Sequence, residues 1–181
     1  MRRTFRVLVL AVSTILMDSE YAASQSQDPP APAHVRSAFQ FKLSVPLERA
    51  APLFGPEGER CWAGEQWNPD FIYPQPATDI EGAVFKVQHG PHQSIWVNTL
   101  FNLSAGHMQY VSLIPDVVVS IVDVRLTALD YATTTGVQVT YTRTALSSAV
   151  NDHVQALAAG DRTSGPHWQQ AIQNCLAKQT R

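Results

Sequence analysis

Apolar and polar positions alternate along most of the chain. Phe39, Phe41, Leu43 and Val45 interleave with Gln40, Lys42 and Ser44, a period of two that predicts a strand with one buried and one wet face, closed by Pro46. Leu47, Ala50, Ala51 and Phe54 then recur at helical spacing until Gly55-Pro56 ends the pattern. Residues 58–67 read as a second short, turn-rich helical piece, and strand patterning resumes near Phe71. In 82–89, Ala83, Phe85, Val87 and His89 share one face, and Gly90-Pro91-His92 turns the chain into 94–103. Turns at 104–106, 115–116 and 130–134 separate further strands over 108–114, 117–129 and 135–145. The pattern predicts a long antiparallel meander.

Near the C-terminus the period changes from two to 3.6. After Ser147-Ser148, read as a helix N-cap, Val150, Val154 and Leu157 line one face, and Trp168, Ala171, Ile172, Cys175 and Leu176 line a face further on. Leu157 and Trp168 are eleven residues apart, about three turns, so both stripes stay in phase on one long helix weakened at Gly165-Pro166. Two helices broken within 160–165 are the alternative.

The first residues follow a different logic. Arg2, Arg3 and Arg6 precede an apolar run over 7–17, and Ala22 and Ser24 supply the small side chains of a cleavage site, the layout of a secretory signal peptide. The apolar run is too short to span a bilayer, which needs about 20 residues. The expected organisation is therefore a signal peptide over 1–24, a proline-rich linker over 25–36 and one domain over 37–181. Export to the periplasm or beyond follows, with no stable membrane insertion after cleavage; a cytoplasmic product is the alternative.

Composition narrows the function. The 181 residues are 45% hydrophobic and 15% charged, which suits one strand-rich globular domain. Lys and Arg number 13 against 15 Asp and Glu, and cleavage after Ser24 leaves 10 against 13, a net of -3. No basic run follows residue 6, so the charge needed to neutralise a phosphate backbone is missing and nucleic acid is not the expected partner. No nucleophile elbow, phosphate loop or dinucleotide glycine pattern occurs, and no cofactor is implied. His89 and His92 have the spacing H-x-x-H, but Gly90-Pro91 puts them across a turn instead of on one helical face, and no third metal ligand is evident. His153 and His167 read as helix-surface residues.

Local marks complete the picture: Pro46-Leu47-Glu48-Arg49 after the first strand, Gly58-Glu59-Arg60-Cys61-Trp62 followed by Trp67-Asn68-Pro69, Gly82-Ala83-Val84-Phe85, and the tail from Trp168 to Leu176. With the order strand, two short helices, meander, long helix, residues 37–178 resemble the SRPBCC superfamily. Its members include START-like lipid-transfer domains, plant pathogenesis-related allergens and small bacterial polyketide cyclase/dehydrase-like proteins. The resemblance implies an α+β helix-grip fold, a curved seven-stranded antiparallel sheet wrapped around a long C-terminal helix, with two short helices after the first strand. It also implies an apolar ligand.

Such a sheet leaves a cavity against the helix, lined by alternate strand residues. Alternation places Phe41, Leu43, Phe85, Val87, His89, Val97, Thr99, Phe101, Val111, Leu113, Val122, Val124, Val139 and Tyr141 inward, with Trp62, Tyr73, Leu157 and Trp168 as lids. His89, Thr99, Tyr141 and Arg143 are the polar residues near this face; Arg143 is expected to pair with Asp123 or another strand carboxylate at the surface. The expected function is an exported carrier or sensor of a small apolar molecule: a lipid, an isoprenoid or a polyketide-like compound. The alternative is a cyclase or dehydrase in the same cavity, with His89 and Tyr141 moving protons. In the helix-grip arrangement Cys61 and Cys175 come within reach of each other, either as one disulfide or as two buried thiols.

Overall fold

The computed structural model describes residues 30–179; the expected signal peptide and residues 25–29 of the expected linker lie outside the described residues. Seven strands form one antiparallel sheet: β1 (His34–Leu43), β2 (Asp70–Tyr73), β3 (Val84–His89), β4 (His92–Asn102), β5 (His107–Ile114), β6 (Val118–Leu129) and β7 (Thr134–Ala145). Their spatial order is β1-β7-β6-β5-β4-β3-β2, so β2 to β7 are the expected meander and β1 closes it at the far edge. β1 and β2 thus occupy opposite edges, and the chain between them has to cross one face of the sheet. That crossing carries α1 (Leu47–Ala50), a 3-10 turn (Ala51–Phe54) and α2 (Pro56–Glu59).

The crossing is held where it needs to be. The Asp79 carboxylate accepts the backbone N–H groups of Glu57 and Gly58 at 2.8 and 3.2 Å, capping α2 from the loop between β2 and β3. Gly55 makes room for this carboxylate, since a Cβ there would lie 2.2 Å from Asp79 Oδ2. Trp62 donates its indole N–H to the Leu53 carbonyl at 2.7 Å, and Trp67 donates to Pro56 at 2.9 Å. Both rings are thereby fixed over the sheet.

The C-terminal helical region is two helices, α3 (Asn151–Asp161) and α4 (Gly165–Gln179), in place of the single helix favoured by the phase of its apolar stripes. Thr163 and Ser164 close tight turns onto the carbonyls of Gly160 and Asp161, and both side-chain hydroxyls bond the Gly160 carbonyl, which competes with helix continuation. Pro166 brings no N–H to extend the ladder and sits in the first turn of α4, where none is needed. Gly165 packs so closely on β1 that a Cβ would lie 3.0 Å from the Gln40 carbonyl oxygen. Ser147 makes no side-chain cap; a 3-10 turn over Ser148–Val150 leads into α3 instead.

The folded domain also starts earlier than expected. β1 begins at His34, which pairs with Thr144, and the Asn151 side chain accepts the Ala33 N–H at 2.6 Å. The linker boundary at residue 36 is therefore too late, because Val35 and Arg36 already belong to the ladder with β7. Inner-face residues of β1, β5, β6 and β7, among them Phe39, Phe41, Leu43, Met108, Val122, Val124, Val137 and Val139, pack with the crossing segment and α4 into the main core. Phe71, Ala83, Phe85 and Val87 form a second cluster under β2 and β3, and Val118, Ala145 and Val154 a third.

Candidate functional site

A cavity of about 510 Å³ opens between the inner face of the sheet and the layer made by the crossing segment, α3 and α4. From the sheet it takes alternate residues: His92, Ser94 and Trp96 of β4, Tyr110, Ser112 and Ile114 of β5, Val118, Ser120, Val122 and Val124 of β6, and Tyr141 and Arg143 of β7. The other wall is Glu59, Trp62, Ala63 and Trp67, with His153 and Leu157 of α3 and Trp168 of α4. All four tryptophans of the chain line it. Trp62 and Trp168 meet at 4.8 Å between ring centroids, and Trp96 contacts both Trp67 and Tyr110 edge-on. His92 and His153 are exposed and stand at its rim.

Polar groups cross this lining in a row. Ser112 pairs with Ser120, and Ser120 with Arg143, so three neighbouring strands present two hydroxyls and a guanidinium at one level. Arg143 is buried and bonded by both terminal nitrogens to the carboxylate of Asp161 in α3, one of the bonds measuring 3.1 Å. Ser37 of β1 donates to the same carboxylate at 2.5 Å, and the guanidinium lies 4.2 Å from the centre of the Tyr141 ring. The expected surface partner Asp123 is engaged elsewhere, with His107 at 2.8 Å and Arg125 at 2.8 Å on the outer face.

Glu59 and Tyr141 differ from Arg143. Neither the Glu59 carboxyl nor the Tyr141 hydroxyl has a hydrogen-bond partner among the described residues, and both belong to the cavity wall. Burial, reinforced by the nearby Asp79 carboxylate, pushes the Glu59 carboxyl well above its ordinary value of 4.5. Burial likewise raises the Tyr141 phenol, with Glu59 adding to it, so the ring keeps its proton. Tyr110 is raised for the same reasons, but its hydroxyl is spent on the Phe54 carbonyl.

Alternation locates only part of this lining. Val124, Tyr141, Leu157 and Trp168 face the cavity, as do Val122 and Trp62. Phe41, Phe85, Val87 and Val139 point inward but are absorbed by the packed core, and Phe101 packs against it. Val97, Thr99, Val111 and Leu113 lie on the opposite, outer face, because the buried or cavity-lining positions are their neighbours Trp96, Asn98, Tyr110 and Ser112. A bulge explains the mixture within one strand: Asn98 pairs with Tyr110 but Leu100 with Gln109, so parity flips at Thr99 and Phe101 returns inward. Tyr73, an expected lid, is exposed on β2 away from the cavity. The backbone of His89 pairs with His92; the His89 side chain lies outside the described part of the structure.

Pattern reading passes over Glu59, Trp67, Trp96, Tyr110 and the serine row. Glu59 does stand in a segment with a recognisable local mark, Gly58 to Trp62, but nothing in its spacing says that the segment folds over the sheet. Cys61, two residues on, is joined to Cys175 of α4 by a disulfide with a Cα separation of 5.6 Å.

No family model and no curated protein matches the sequence. Solved structures match the fold. Norcoclaurine synthase from Thalictrum flavum, in complex with dopamine and hydroxybenzaldehyde, has a TM-score of 0.58 at 9% identity, covering 97% of this chain and 96% of its own. An uncharacterized protein from Rhizobium leguminosarum reaches 0.56 at 12% identity over 80% of this chain and 97% of its own. Ara h 8.0201 reaches 0.55 at 11% identity over 80% and 99%. The architecture is the helix-grip fold, and at these identities the likeness speaks for the fold alone.

Proposed function

We propose that the protein binds one small, largely apolar molecule in the cavity between the sheet and the C-terminal helices, and does so after export. The observation that carries this reading is the cavity itself: about 510 Å³, within the range of small-molecule sites, walled mainly by aromatic and aliphatic side chains with a few convergent polar groups. A domain of this size gains nothing in stability from a hollow core, since each unfilled volume forfeits packing. The disulfide supports export, because such bridges persist in oxidising compartments. Norcoclaurine synthase, with the same fold, holds dopamine and hydroxybenzaldehyde, both small aromatic molecules.

A second reading has an observation of its own. The unpartnered Glu59 carboxyl and Tyr141 hydroxyl are the kind of groups that move protons in a cyclase or dehydrase. The His89 side chain, expected beside Tyr141 in that role, lies outside the described residues.

Native mass spectrometry of protein taken from its host envelope tests the binding reading directly, with a retained small apolar mass as the expected result. In parallel, the dye ANS is expected to bind the folded protein stoichiometrically, and Val124→Trp or Leu157→Trp to weaken it at least about tenfold by filling the cavity. Unchanged dye binding in both folded variants overturns the assignment. Export predicts a mature N-terminus at Gln25 in the periplasmic fraction; a folded cytoplasmic product beginning at Met1 overturns it.

A further inference from the structure

We infer that Glu59 selects the ligand: its carboxyl, set in the cavity wall without a hydrogen-bond partner among the described residues, donates a hydrogen bond to a neutral oxygen acceptor, a carbonyl or ether, on a flat aromatic or conjugated molecule. This rests on the binding reading above and adds to it the chemical class of the ligand and the residue that recognises it.

The charges around the cavity decide against an anion. Its one arginine, Arg143, is already neutralised by Asp161, and no lysine lines it. An anionic ligand would find no unpaired arginine or lysine in the wall to compensate its charge, and the Asp79 carboxylate in the loop behind α2 adds negative charge close by. An amine would have to ionise Glu59, and burial together with the Asp79 carboxylate opposes that. What remains is a neutral acceptor. The Tyr141 hydroxyl, also without a partner among the described residues and also protonated, offers a second donor across the cavity.

Flatness follows from the walls. The indole N–H groups of Trp62, Trp67 and Trp96 are committed to Leu53, Pro56 and Ser94, so these rings present their apolar surfaces to the cavity instead of their polar edges. An extended planar molecule covers such surfaces with the least loss of rotamer freedom.

The acid form of Glu59 is the donor, which sets the sign of the pH dependence. Acceptor binding is present below the raised pKa of Glu59 and is lost as pH climbs through it. Asp79, Glu57 and Arg60 lie on the crossing side, Tyr110, Tyr141 and Arg143 on the sheet, Asp161 on α3, and His92 and His153 at the rim, so the titrating group has to be isolated by substitution.

Isothermal titration calorimetry with four naphthalenes of one shape does this: 2-acetylnaphthalene, 2-ethylnaphthalene, 2-naphthoate and 2-naphthylmethylamine. The ketone is expected to bind wild type more tightly than the acid anion or the amine. Glu59→Leu is expected to weaken the ketone about tenfold, the size of one well-placed hydrogen bond, and to leave 2-ethylnaphthalene within about twofold. Glu59→Gln, which keeps a donor, is expected to hold the ketone within about threefold and to abolish the alkaline loss seen in wild type. That last arm separates Glu59 from the rim histidines. Tighter binding of the anion or the amine, or a ketone affinity indifferent to both substitutions, overturns the anchor while 2-ethylnaphthalene binding still supports the cavity. Failure of all four to bind folded wild type overturns the cavity reading and the anchor together.

Discussion

Two polar groups on opposite walls of the cavity, Arg143 buried and Glu59 half-buried, are settled in opposite ways. Arg143 has a complete set of partners: a carboxylate gripping both terminal nitrogens, a serine on that carboxylate and an aromatic ring beneath the guanidinium. Glu59 has none among the described residues, and desolvation together with the Asp79 charge favours the form of its carboxyl that bears the proton. The first is structural chemistry and the second is open for use. Removing one member of the ion pair strands the other, so Asp161→Asn is expected to cost about 3 kcal/mol in urea unfolding, whereas the double variant Arg143→Met with Asp161→Leu, which leaves no stranded charge, costs less than the single one. Equal costs would mean that Arg143, left without its carboxylate, is solvated and not stranded. Asp123, with 19% of its side chain exposed, shows the third solution. Burial acts against its charge, but hydrogen bonds from His107 and Gln109 and the charge of Arg125 outweigh it and lower its pKa.

At the scale of elements, the strands and the meander order of β2 to β7 were legible in the sequence, and the place of β1 beside β7 and the inner face of β4 and β5 were not. β1, β6 and β7 read correctly from the stretches where the outer parity is polar: Gln40 and Lys42 in β1, Asp123 and Arg125 in β6, Gln138 and Thr140 in β7. β5 misleads because its outer parity, Val111 and Leu113, looks more apolar than the inner one, which carries Ser112 between Tyr110 and Ile114. In β4 the bulge at Thr99 reverses parity midway, and no residue type announces it. The outer face is apolar in its own right: Ile95 pairs with Leu113 and Leu113 with Val119, while Val97 pairs with Val111 and Val111 with Ile121. Face assignment can be checked with one pair of substitutions. Val111→Trp, on the outer face, is expected to leave dye binding within about twofold of wild type, where Val124→Trp at the cavity wall removes it. A loss of binding in Val111→Trp would return β5 to the opposite register. The C-terminal break was legible as an alternative, since Gly160, Gly165 and Pro166 flank it, but the hydroxyls of Thr163 and Ser164 that decide it act through local geometry rather than periodicity.

The molecule as a whole has to hold a cavity open without losing its fold, and the disulfide answers that need. The wall opposite the sheet is assembled from pieces distant in sequence: the crossing segment with Glu59 and Trp62, and the helices with Leu157 and Trp168. Cys61 and Cys175, 114 positions apart, tie these pieces together beside the contact of Trp62 with Trp168. A bridge closing so long a loop restricts the unfolded chain, worth about 4 to 5 kcal/mol in the chain-entropy model. Because that constraint acts mainly on the unfolded state, the double variant Cys61→Ser with Cys175→Ser is expected to unfold at a much lower urea concentration while its folded form still binds ANS with near wild-type affinity. Loss of dye binding in a variant that remains folded would instead mean that the bridge shapes the wall, with Trp62 and Trp168 drifting apart once it is gone. Coincident unfolding curves would mean that the two sulfurs, though adjacent, contribute no more than any other pair of buried side chains.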